Sequence, residues 1–282
     1  MPAIVDLHTH TLYSDGLLTP QQLLFKAHER GLSAIGITDH DTVDAISEAQ
    51  KVAPDYEIEV VAGIEISCME NDRDVHILGY CIDPGNATLR EYCKVFKEDR
   101  KRRAKKIVEN LQKLSVNLSY DAVENRAGDG SIGRPHIAAA MIEAGYVATF
   151  EDAFRMYLSN HSPAYEPRTR FTVKQAADLI HAAGGVAILA HPGRYFSDPR
   201  LLMPLVKSGL DGIEVTYPSH GRAIQHFYHV FAKQHGLLET GGSDYHGSRF
   251  YDEDNFGRVT ISYSQLELIR ERALKQSASN AA

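Results

Sequence analysis

The sequence predicts an α/β protein built on a barrel of about seven strands, related to the eight-stranded parallel barrel, with an all-helical segment inserted into it. Short apolar runs alternate with amphipathic helical patterns, as in βαβ units. The apolar runs end in polar clusters, as barrel strands do at their carboxyl ends. The alternation stops over residues 86–168, where only helical patterns occur. The chain has 282 residues, 43% of them hydrophobic, and can therefore form one large domain of this kind.

The first 85 residues carry four strand patterns. In order, the predicted elements are a strand ending at His10, a helix between Thr19 and Gly31, a strand at 34–38, a helix at 43–52, and strands at 59–66 and 74–80. Thr19 and Gly31 bound the first helix, because threonine caps a helix start and glycine ends a helix. Pro20 suits the first turn. The continuous apolar run at 34–38 indicates a strand buried on both faces.

Helical patterns alone occupy the inserted segment. A long amphipathic helix begins after Asn86 and keeps apolar residues at helical spacing as far as Leu114. Shorter helices are predicted near 134–144 and 150–158. We therefore expect residues 1–85 and 169–282 to form the barrel, and residues 86–168 to cap one end of it.

The alternation resumes after the insertion. The predicted elements are a helix at 172–183, a strand at 186–190, a further helix, a strand at 212–216, a helix at 223–234 and a strand near 237–240. The segment after Leu274 is small and polar, which predicts a frayed tail.

Composition and charge exclude several classes of protein. The formal net charge of −7 argues against a surface that binds nucleic acid throughout. The run Lys94–Lys106 is a local exception, with eight basic and two acidic residues and a charge of +6; solvation on a helix and RNA contact both stay open. The three cysteines form no disulfide framework. Since no secretory signal and no apolar run of about 20 residues occurs, we expect a cytoplasmic protein with no membrane contact.

Metal-binding side chains cluster at the ends of the predicted strands. His8 and His10 stand two residues apart at the end of the first strand, where both can point to the same side and chelate one ion. Comparable places are occupied by Asp15, His40, Glu65, His76, His191, Asp244 and His246. If the strands run parallel in a barrel, all nine side chains meet at one mouth. Chance would place many of them on helices, where His28 and His181 are predicted to lie.

The donor set indicates a class of metal and a class of reaction. Imidazoles and carboxylates without thiolates suit manganese, iron or zinc better than calcium. Several divalent ions close together suit the hydrolysis of phosphate esters, because they generate hydroxide at neutral pH and neutralise the leaving oxygen. We expect two or three divalent ions, with manganese first and iron or zinc as alternatives. The predicted reaction is in-line attack on phosphorus by a metal-bridging hydroxide.

Substrate-binding residues are predicted at the same mouth. Arg194 closely follows the fifth strand and can offer bidentate donors to a phosphate; a salt bridge is the alternative. Ser219 and His220 follow the sixth strand and are predicted to contact the substrate, with His220 as a donor to the leaving alkoxide; a simple turn is the alternative. Arg134 and His136 begin an insertion helix whose free N–H groups suit a second anion, although His136 can instead cap that helix.

Seven motifs, in order along nearly the whole chain, resemble the full set of the PHP (polymerase and histidinol phosphatase) family. They are D-L-H-T-H at 6–10, S-D-G at 14–16, T-D-H-D at 38–41, G-I-E-I-S at 63–67, H-I-L-G at 76–79, A-H-P-G-R at 190–194 and G-S-D-Y-H at 242–246. The resemblance implies a distorted, TIM-like (β/α)7 barrel that binds two or three divalent metals. The implied ligand groups are His8, His10, Glu65 and Asp244 for one metal, Glu65, His76 and His191 for a second, and Asp15, His40 and His246 for a third.

The insertion and the motifs G-R-P-H and H-P-G-R-Y resemble a PHP subgroup of nucleotide phosphatases. Its members remove the 3′-phosphate of nucleoside 3′,5′-bisphosphates, and some trim short RNA from the 5′ end. The resemblance implies that Arg134 and His136 hold the distal phosphate, while Arg194 and the metals hold the phosphate that is cleaved. We expect a small nucleotide as the substrate, short RNA as a second one, and no obligate protein partner.

Two rival functions stay open. A histidinol-phosphate phosphatase would share the metal ligands, but the insertion and Arg134 count against it. A non-catalytic, metal-dependent nucleotide sensor would share the fold, but the complete ligand set and Arg194 count against it.

Overall fold

The strands form one sheet that curls into a nearly closed barrel. The computed structural model describes residues 3–193, 195–249 and 251–280. The strands are β1 Ile4–Thr9, β2 Ala34–Ile37, β3 Glu59–Glu70, β4 Arg73–Tyr80, β5 Val186–Leu189, β6 Gly212–Thr216, β7 Leu238–Gly241 and β8 Ile261–Ser262. Their order in the sheet is β7-β6-β5-β4-β3-β2-β1-β8. The predicted fold class is confirmed, with β8 as a short additional strand antiparallel to β1.

The direction of β4 departs from the expectation that the barrel strands run parallel. β4 is antiparallel to both of its neighbours, β3 and β5. The cause is local, because β3 and β4 are joined by the two-residue turn Asn71-Asp72, with φ of 49° and 59°, and such turns connect antiparallel strands. His76 pairs with Ser67 near the start of β4. It therefore reaches the barrel end at which the neighbouring parallel strands finish.

The barrel closes where β1 meets the segment that follows β7. Thr9 and Tyr245 form an isolated parallel bridge, and the backbone N–H of His10 donates to the carbonyl oxygen of Tyr245 over 2.9 Å. Only glycine fits beside this seam at position 242, since a Cβ there would lie 2.4 Å from the backbone nitrogen of His8. The seam extends β1 far enough to carry His10 onto the same face as His8.

The helices cover the outside of the sheet and build the insertion. They are α1 Pro20–Glu29, α2 Asp44–Val52, α3 Ala87–Lys113, α4 Tyr120–Ala127, α5 Arg134–Glu143, α6 Phe150–Ala153, α7 Val173–Ala182, α8 Pro199–Lys207, α9 Arg222–His235, α10 Asp252–Asn255 and α11 Tyr263–Asn280. A π-helical turn, Phe154–Leu158, continues α6. In the described ranges, none of the helices has the length and apolar character of a membrane span.

The C-terminal helix corrects one prediction. The tail after Leu274 is not frayed, because α11 continues through it to Asn280. The helix packs Leu266 and Ile269 into the hydrophobic cluster that contains β1. Its last turns are held by polar contacts, including one from the hydroxyl of Ser277 to the carbonyl oxygen of Gly184. Small and polar residues thus form helix here because tertiary contacts hold them, whatever their weak intrinsic tendency.

The inserted helices have a hydrophobic cluster of their own. Ile107 and Leu111 of α3 pack there with Met141 of α5 and Leu158. The guanidinium of Arg100 connects this region to the barrel, since it donates to Asp41 Oδ2 over 2.7 Å and to Ser67 Oγ over 3.0 Å. This buried ion pair positions α3 beside the barrel mouth.

Candidate metal centre and arginine pocket

The structure brings the nine predicted metal ligands to one end of the barrel. They come from β1 and its following loop (His8, His10, Asp15), from the residues after β2 (His40), from β3 (Glu65), from β4 (His76), from the residues after β5 (His191) and from the segment after β7 (Asp244, His246). Each of these side chains is buried or half-buried. Six parts of the chain therefore contribute to one cluster.

His8 and His10 converge on the same pair of carboxylates. The Nε2 atoms of both rings lie between 3.2 and 3.3 Å from Glu65 Oε2 and from Asp244 Oδ1. Donor atoms that share one ion at about 2.1 Å are themselves about 3.0–3.4 Å apart. The spacing of these four atoms therefore suits a single divalent ion.

Glu65 is the centre of the cluster. Besides His8 and His10, its Oε2 contacts His40 Nδ1 at 3.2 Å, while its Oε1 lies 2.8 Å from His76 Nδ1 and 2.9 Å from His191 Nε2. Burial opposes the charged form of this carboxyl, but the imidazoles of His40, His76 and His8 hold its pKa well below the usual range. A carboxylate with separate partners on its two oxygens is suited to bridge two ions.

Asp15 organises a further group of donors. Its Oδ1 lies 3.3 Å from His246 Nε2 and 3.8 Å from His10 Nδ1, and its Oδ2 lies 3.9 Å from His40 Nε2. His10 thus belongs to this group as well: its Nδ1 faces Asp15, while its Nε2 faces Glu65 and Asp244. The resemblance to the family had implied only Asp15, His40 and His246 here.

The residues present fit divalent metals. Buried ring nitrogens of His10 and His40, and Oδ1 of Asp15, have no partner in hydrogen-bond geometry within the described chain. Orphaned buried polar atoms are costly unless a further group satisfies them. Nitrogen and carboxylate oxygen donors, with the described cysteines outside the cluster, suit manganese, iron or zinc.

A pocket of about 180 Å³ opens directly beside this cluster. We call it the arginine pocket. Its walls include His40 and His76 of the cluster together with five arginines: Arg100 and Arg103 of α3, Arg134 at the start of α5, Arg168 and Arg249. The insertion thus contributes cationic groups to the edge of the metal cluster.

Two of these arginines, Arg103 and Arg168, are incompletely paired. Arg103 donates through Nε to the carbonyl oxygen of Glu166 over 2.7 Å, and Arg168 Nε lies 3.4 Å from Asp74. In the part of the chain that is described, Nη2 of Arg103 and Nη1 of Arg168 are buried without a hydrogen-bond partner. Burial and the nearby charges of Arg168 and Arg134 lower the pKa of Arg103 to about 9. An anion in the pocket would relieve both the desolvation and the repulsion.

The PHP domain family matches residues 6–241. The chain belongs to the PHP family. This membership confirms the predicted class of enzyme, a metal-dependent phosphoesterase, on a fold that the geometry above also supports.

Similar proteins lie within the same family. The 5′-3′ exoribonuclease Rnm of Salmonella typhimurium is 35% identical over 249 residues, which cover 86% of this chain and 85% of the relative. The 3′,5′-nucleoside bisphosphate phosphatase of Chromobacterium violaceum is 32% identical over 249 residues, which cover 86% of this chain and 87% of the relative. A solved structure from Bifidobacterium adolescentis, described as a metal-dependent phosphoesterase, superposes with a TM-score of 0.85 at 31% identity and covers 94% of both chains.

Sequence reasoning missed the groups that orient the ligands of the PHP site. Glu214 in β6 is fully buried, and its Oε1 accepts from His8 Nδ1 over 2.9 Å while Oε2 accepts from the backbone N–H of His191 over 2.6 Å. Tyr217 and Arg249 donate to Asp244 Oδ2 over 2.9 and 2.8 Å. In the sequence, the signal for Glu214 was that an acidic residue stands inside the apolar strand pattern at 212–216.

The predicted distal-phosphate residues of the PHP subgroup lie close together, with different contacts. Arg134 lines the arginine pocket and donates to Asp74 Oδ2, to the carbonyl oxygen of Leu158 and to Asn160 Oδ1 at 2.9–3.1 Å. His136 Nδ1 accepts from the backbone N–H of Gly133 over 2.9 Å. In the structure His136 therefore caps the start of α5, which was the alternative to phosphate binding.

The role predicted for His220 in the PHP reaction does not fit its surroundings. The ring is 3% exposed; its Nδ1–H donates to the carbonyl oxygen of Val215 over 3.0 Å, and its Nε2 accepts from the backbone N–H of Gly193 over 3.1 Å. Burial lowers its pKa, which favours this neutral tautomer. With both nitrogens engaged, His220 positions the loop after His191 and has no proton to donate to a leaving group. Ser219 is exposed in the turn beside it, and Arg194 lies outside the described residues.

The basic run in α3 divides between the PHP site and the surface. Arg100 and Arg103 face the arginine pocket. Lys101 and Lys106 pair with acidic residues of the same helix, and Arg102 pairs with Asp99 and with Glu166. The local charge of +6 is therefore partly neutralised, and two of its arginines face the pocket.

Proposed function

We propose that this chain hydrolyses the 3′-phosphate of nucleoside 3′,5′-bisphosphates, such as adenosine 3′,5′-bisphosphate, and trims short RNA from its 5′ end. One observation carries the choice of substrate: the arginine pocket, with its two incompletely paired guanidinium groups, adjoins the metal cluster. A substrate with two phosphates joined through one ribose would place one phosphate at the metal cluster and the other in the arginine pocket. The named activities of the two relatives agree with this class of substrate.

The ligand groups proposed for the metals follow the donor geometry. They are His8, His10, Glu65 and Asp244 for one ion, Glu65, His76 and His191 for a second, and Asp15, His40 and His246, with His10 beside them, for a third. Manganese is the proposed metal, with iron or zinc as alternatives. Such ions, when bound, supply a hydroxide nucleophile at neutral pH and neutralise charge on the phosphate.

The protein's own groups bind and orient the substrate. We assign the cleaved phosphate to Arg194 and the uncleaved phosphate to the arginine pocket, chiefly to Arg103 and Arg168, because their N–H groups are free to donate. Arg134 lies between Asp74 and Asn160 and supports the pocket wall. In this assignment His136 keeps the start of α5 in place and His220 keeps the loop after His191 in place.

Residues 86–168 act, in this proposal, as a cap over the barrel mouth. Support comes from Arg100, Arg103 and Arg134, which come from the insertion and line a pocket whose other wall includes His40 and His76. The cap would exclude water and fix the distance between the two phosphate positions. Residues 1–85 and 169–282 would then supply the metal ligands and Arg194.

Two alternatives make different demands on the arginine pocket. A histidinol-phosphate phosphatase has a substrate with one phosphate and a cationic amine, which buried arginines would repel. A non-catalytic nucleotide sensor would bind the bisphosphate but release no phosphate. Manganese-loaded protein should therefore be compared on adenosine 3′,5′-bisphosphate, histidinol phosphate and a 5′-phosphorylated RNA tetramer.

The sharpest test of this function is the variant Arg103→Gln. We expect it to raise KM for adenosine 3′,5′-bisphosphate at least tenfold, since a lost charge-assisted hydrogen bond costs about 1.5–3 kcal/mol. KM for p-nitrophenyl phosphate, which has no second phosphate, should stay within about twofold. Steady-state phosphate release measures both.

Lys105→Gln is the matched control, because it removes one positive charge from the exposed face of the same helix. It should leave both KM values unchanged. An equal rise in KM for both substrates in Arg103→Gln would contradict the distal-phosphate assignment. A preference of the unaltered protein for histidinol phosphate would contradict the proposed function as a whole.

A further inference from the structure

A second cavity, of about 600 Å³, adjoins the metal cluster on the side of His191. Its walls include Arg73 at the start of β4, Asn160 in the insertion, and the aromatic pair Tyr195 and Phe196. Nothing in the reaction described above uses it. We call it the aromatic cavity.

The aromatic cavity presents a surface suited to stacking. The guanidinium carbon of Arg73 lies 3.7 Å from the centre of the Tyr195 ring, directly over it. Phe196 packs edge-on against the same ring, with centroids 4.8 Å apart and an interplanar angle of 83°. Tyr195 is nevertheless 41% exposed. A stacked guanidinium and an exposed ring are both surfaces on which planar aromatic groups bind.

The β3–β4 hairpin fixes the backbone of one member of this surface, Arg73. Arg73 follows the two-residue turn of the β3–β4 hairpin and pairs with Glu70 in the ladder. A turn of this type fixes the register of both strands. The sheet therefore sets the position of the Arg73 backbone, three residues before His76 on β4.

The aromatic cavity is connected to both phosphate positions. It shares His191 with the metal cluster. Asp74, which also lines the aromatic cavity, pairs with Arg134 and Arg168 of the arginine pocket. Asn160 makes a second connection, because its Oδ1 accepts from Arg134 Nη1 over 3.0 Å.

We propose that the aromatic cavity binds the nucleobase of the substrate, stacked against Tyr195 and Arg73. This inference rests on the proposed function, and adds a site for the base between the two phosphate positions. In a nucleoside 3′,5′-bisphosphate the ribose joins both phosphates and carries the base to one side. A cavity that borders both phosphate positions is where that base would lie.

Stacking makes the site tolerant of base identity. Every nucleobase has a flat π-face, and stacking on aromatic rings and guanidinium planes does not read base edges. Adenosine, guanosine, cytidine and uridine 3′,5′-bisphosphates should therefore be hydrolysed with kcat/KM values within about tenfold of one another.

The test compares Tyr195→Ala with the unaltered protein on two substrates. One is adenosine 3′,5′-bisphosphate and the other is its abasic analogue, in which hydrogen replaces the base. For the nucleotide we expect KM to rise about tenfold with little change in kcat, since stacking contributes binding that is equal in the ground and transition states. For the abasic analogue, KM should not change. Tyr195→Phe keeps the ring and should restore the KM for the nucleotide.

Phe25→Ala serves as the control, because Phe25 is a 49% exposed aromatic residue on α1, outside the aromatic cavity. It should change neither KM. Equal effects of Tyr195→Ala on both substrates would overturn the base-binding proposal while leaving the proposed function standing. If the unaltered protein hydrolyses neither substrate, the proposed function itself is contradicted, whatever the variants do.

Arg73→Met gives a second, independent variant, since the guanidinium still offers a stacking surface when the Tyr195 ring is lost. Arg73 is exposed at the end of a hairpin, so its replacement should leave the fold intact, as a thermal melt would verify. We expect a KM increase of about threefold or more for the nucleotide only. An unchanged KM in both Arg73→Met and Tyr195→Ala would exclude stacking in this cavity.

Discussion

At the scale of single residues, buried carboxylates do most of the work of assembling this site. Glu65 contacts five histidines, and Glu214 holds two further atoms of the cluster from behind. Because a histidine ring can rotate, a group that fixes its second nitrogen decides where the first nitrogen points. Glu214 performs this for His8, and Asp244 is held in the same way by Tyr217 and Arg249.

The first prediction concerns the variant Glu214→Gln. It replaces one acceptor oxygen by an amide donor, so that either His8 or the backbone N–H of His191 loses its partner. We expect metal affinity or kcat to fall about 10–100-fold, as for other groups that orient metal-bound histidines. Metal content after dialysis against buffered manganese, together with phosphate release, measures the effect.

Glu239→Gln is the matched control, because Glu239 lies in the neighbouring strand β7 and pairs with His229, a half-exposed residue of α9. That change should leave metal content at the level of the unaltered protein. Full metal affinity and activity in Glu214→Gln would show that His8 is oriented without it.

At the scale of elements, two pieces of chain depart from the simple repeat of strand and helix. The β3–β4 hairpin reverses one strand inside the barrel and exposes its turn beside the aromatic cavity. The C-terminal helix α11 then covers β1 and β5 from outside. The hairpin carries two of the proposed ligands, Glu65 on β3 and His76 on β4, whereas α11 carries none.

The second prediction compares neighbouring residues of α11. Ile269 is fully buried against β1, whereas Leu268 is 55% exposed. Ile269→Ala should lower the free energy of unfolding by about 2–5 kcal/mol, from lost burial and the cavity left behind. Leu268→Ala should lower it by less than about 0.5 kcal/mol. Urea denaturation followed by circular dichroism measures both.

The catalytic constants of the folded fraction should stay equal in these two variants, since α11 does not border the metal cluster. A small effect of Ile269→Ala on stability would mean that α11 is detached from the barrel in solution.

At the scale of the whole molecule, the metal cluster ties together parts of the chain that are far apart in sequence. Its proposed ligands span residues from His8 to His246, and the seam between β1 and the segment after β7 closes beside it. Ions that bind only the folded chain must stabilise it against unfolding. A metal bound at the cluster would therefore stabilise the fold.

The third prediction follows from this coupling. Manganese at about 100 times its dissociation constant should stabilise the fold by about 2.7 kcal/mol. For a chain of this size that corresponds to a rise in Tm of roughly 5 °C. Differential scanning calorimetry with manganese and with a chelator measures the difference.

Glu65→Gln should abolish this rise, because Glu65 takes part in two of the proposed ligand groups. A manganese-dependent shift that survives in this variant would place the stabilising ion elsewhere.

The order of most strands and helices, and the residues that gather at the barrel mouth, could be predicted from the sequence because both depend on local patterns. Apolar runs, caps and the motif residues from His8 to His246 lie within a few positions of the element that carries them. Elements without such patterns were missed: α4, α10, α11 and the two-residue strand β8. Their helical or extended state depends on packing against distant parts of the chain.

Only the tertiary structure decided which groups support the site. Glu214 is 206 residues from His8, and Arg103 joins Arg168 and Arg134 in one pocket only after the insertion folds over the barrel. His191 and Asp244 adopt positive φ values of 27° and 53°, a strained geometry imposed by their surroundings. The donors could be identified one at a time because their chemistry belongs to the residue. Their partners could not, because a contact belongs to two residues whose separation is set by the fold.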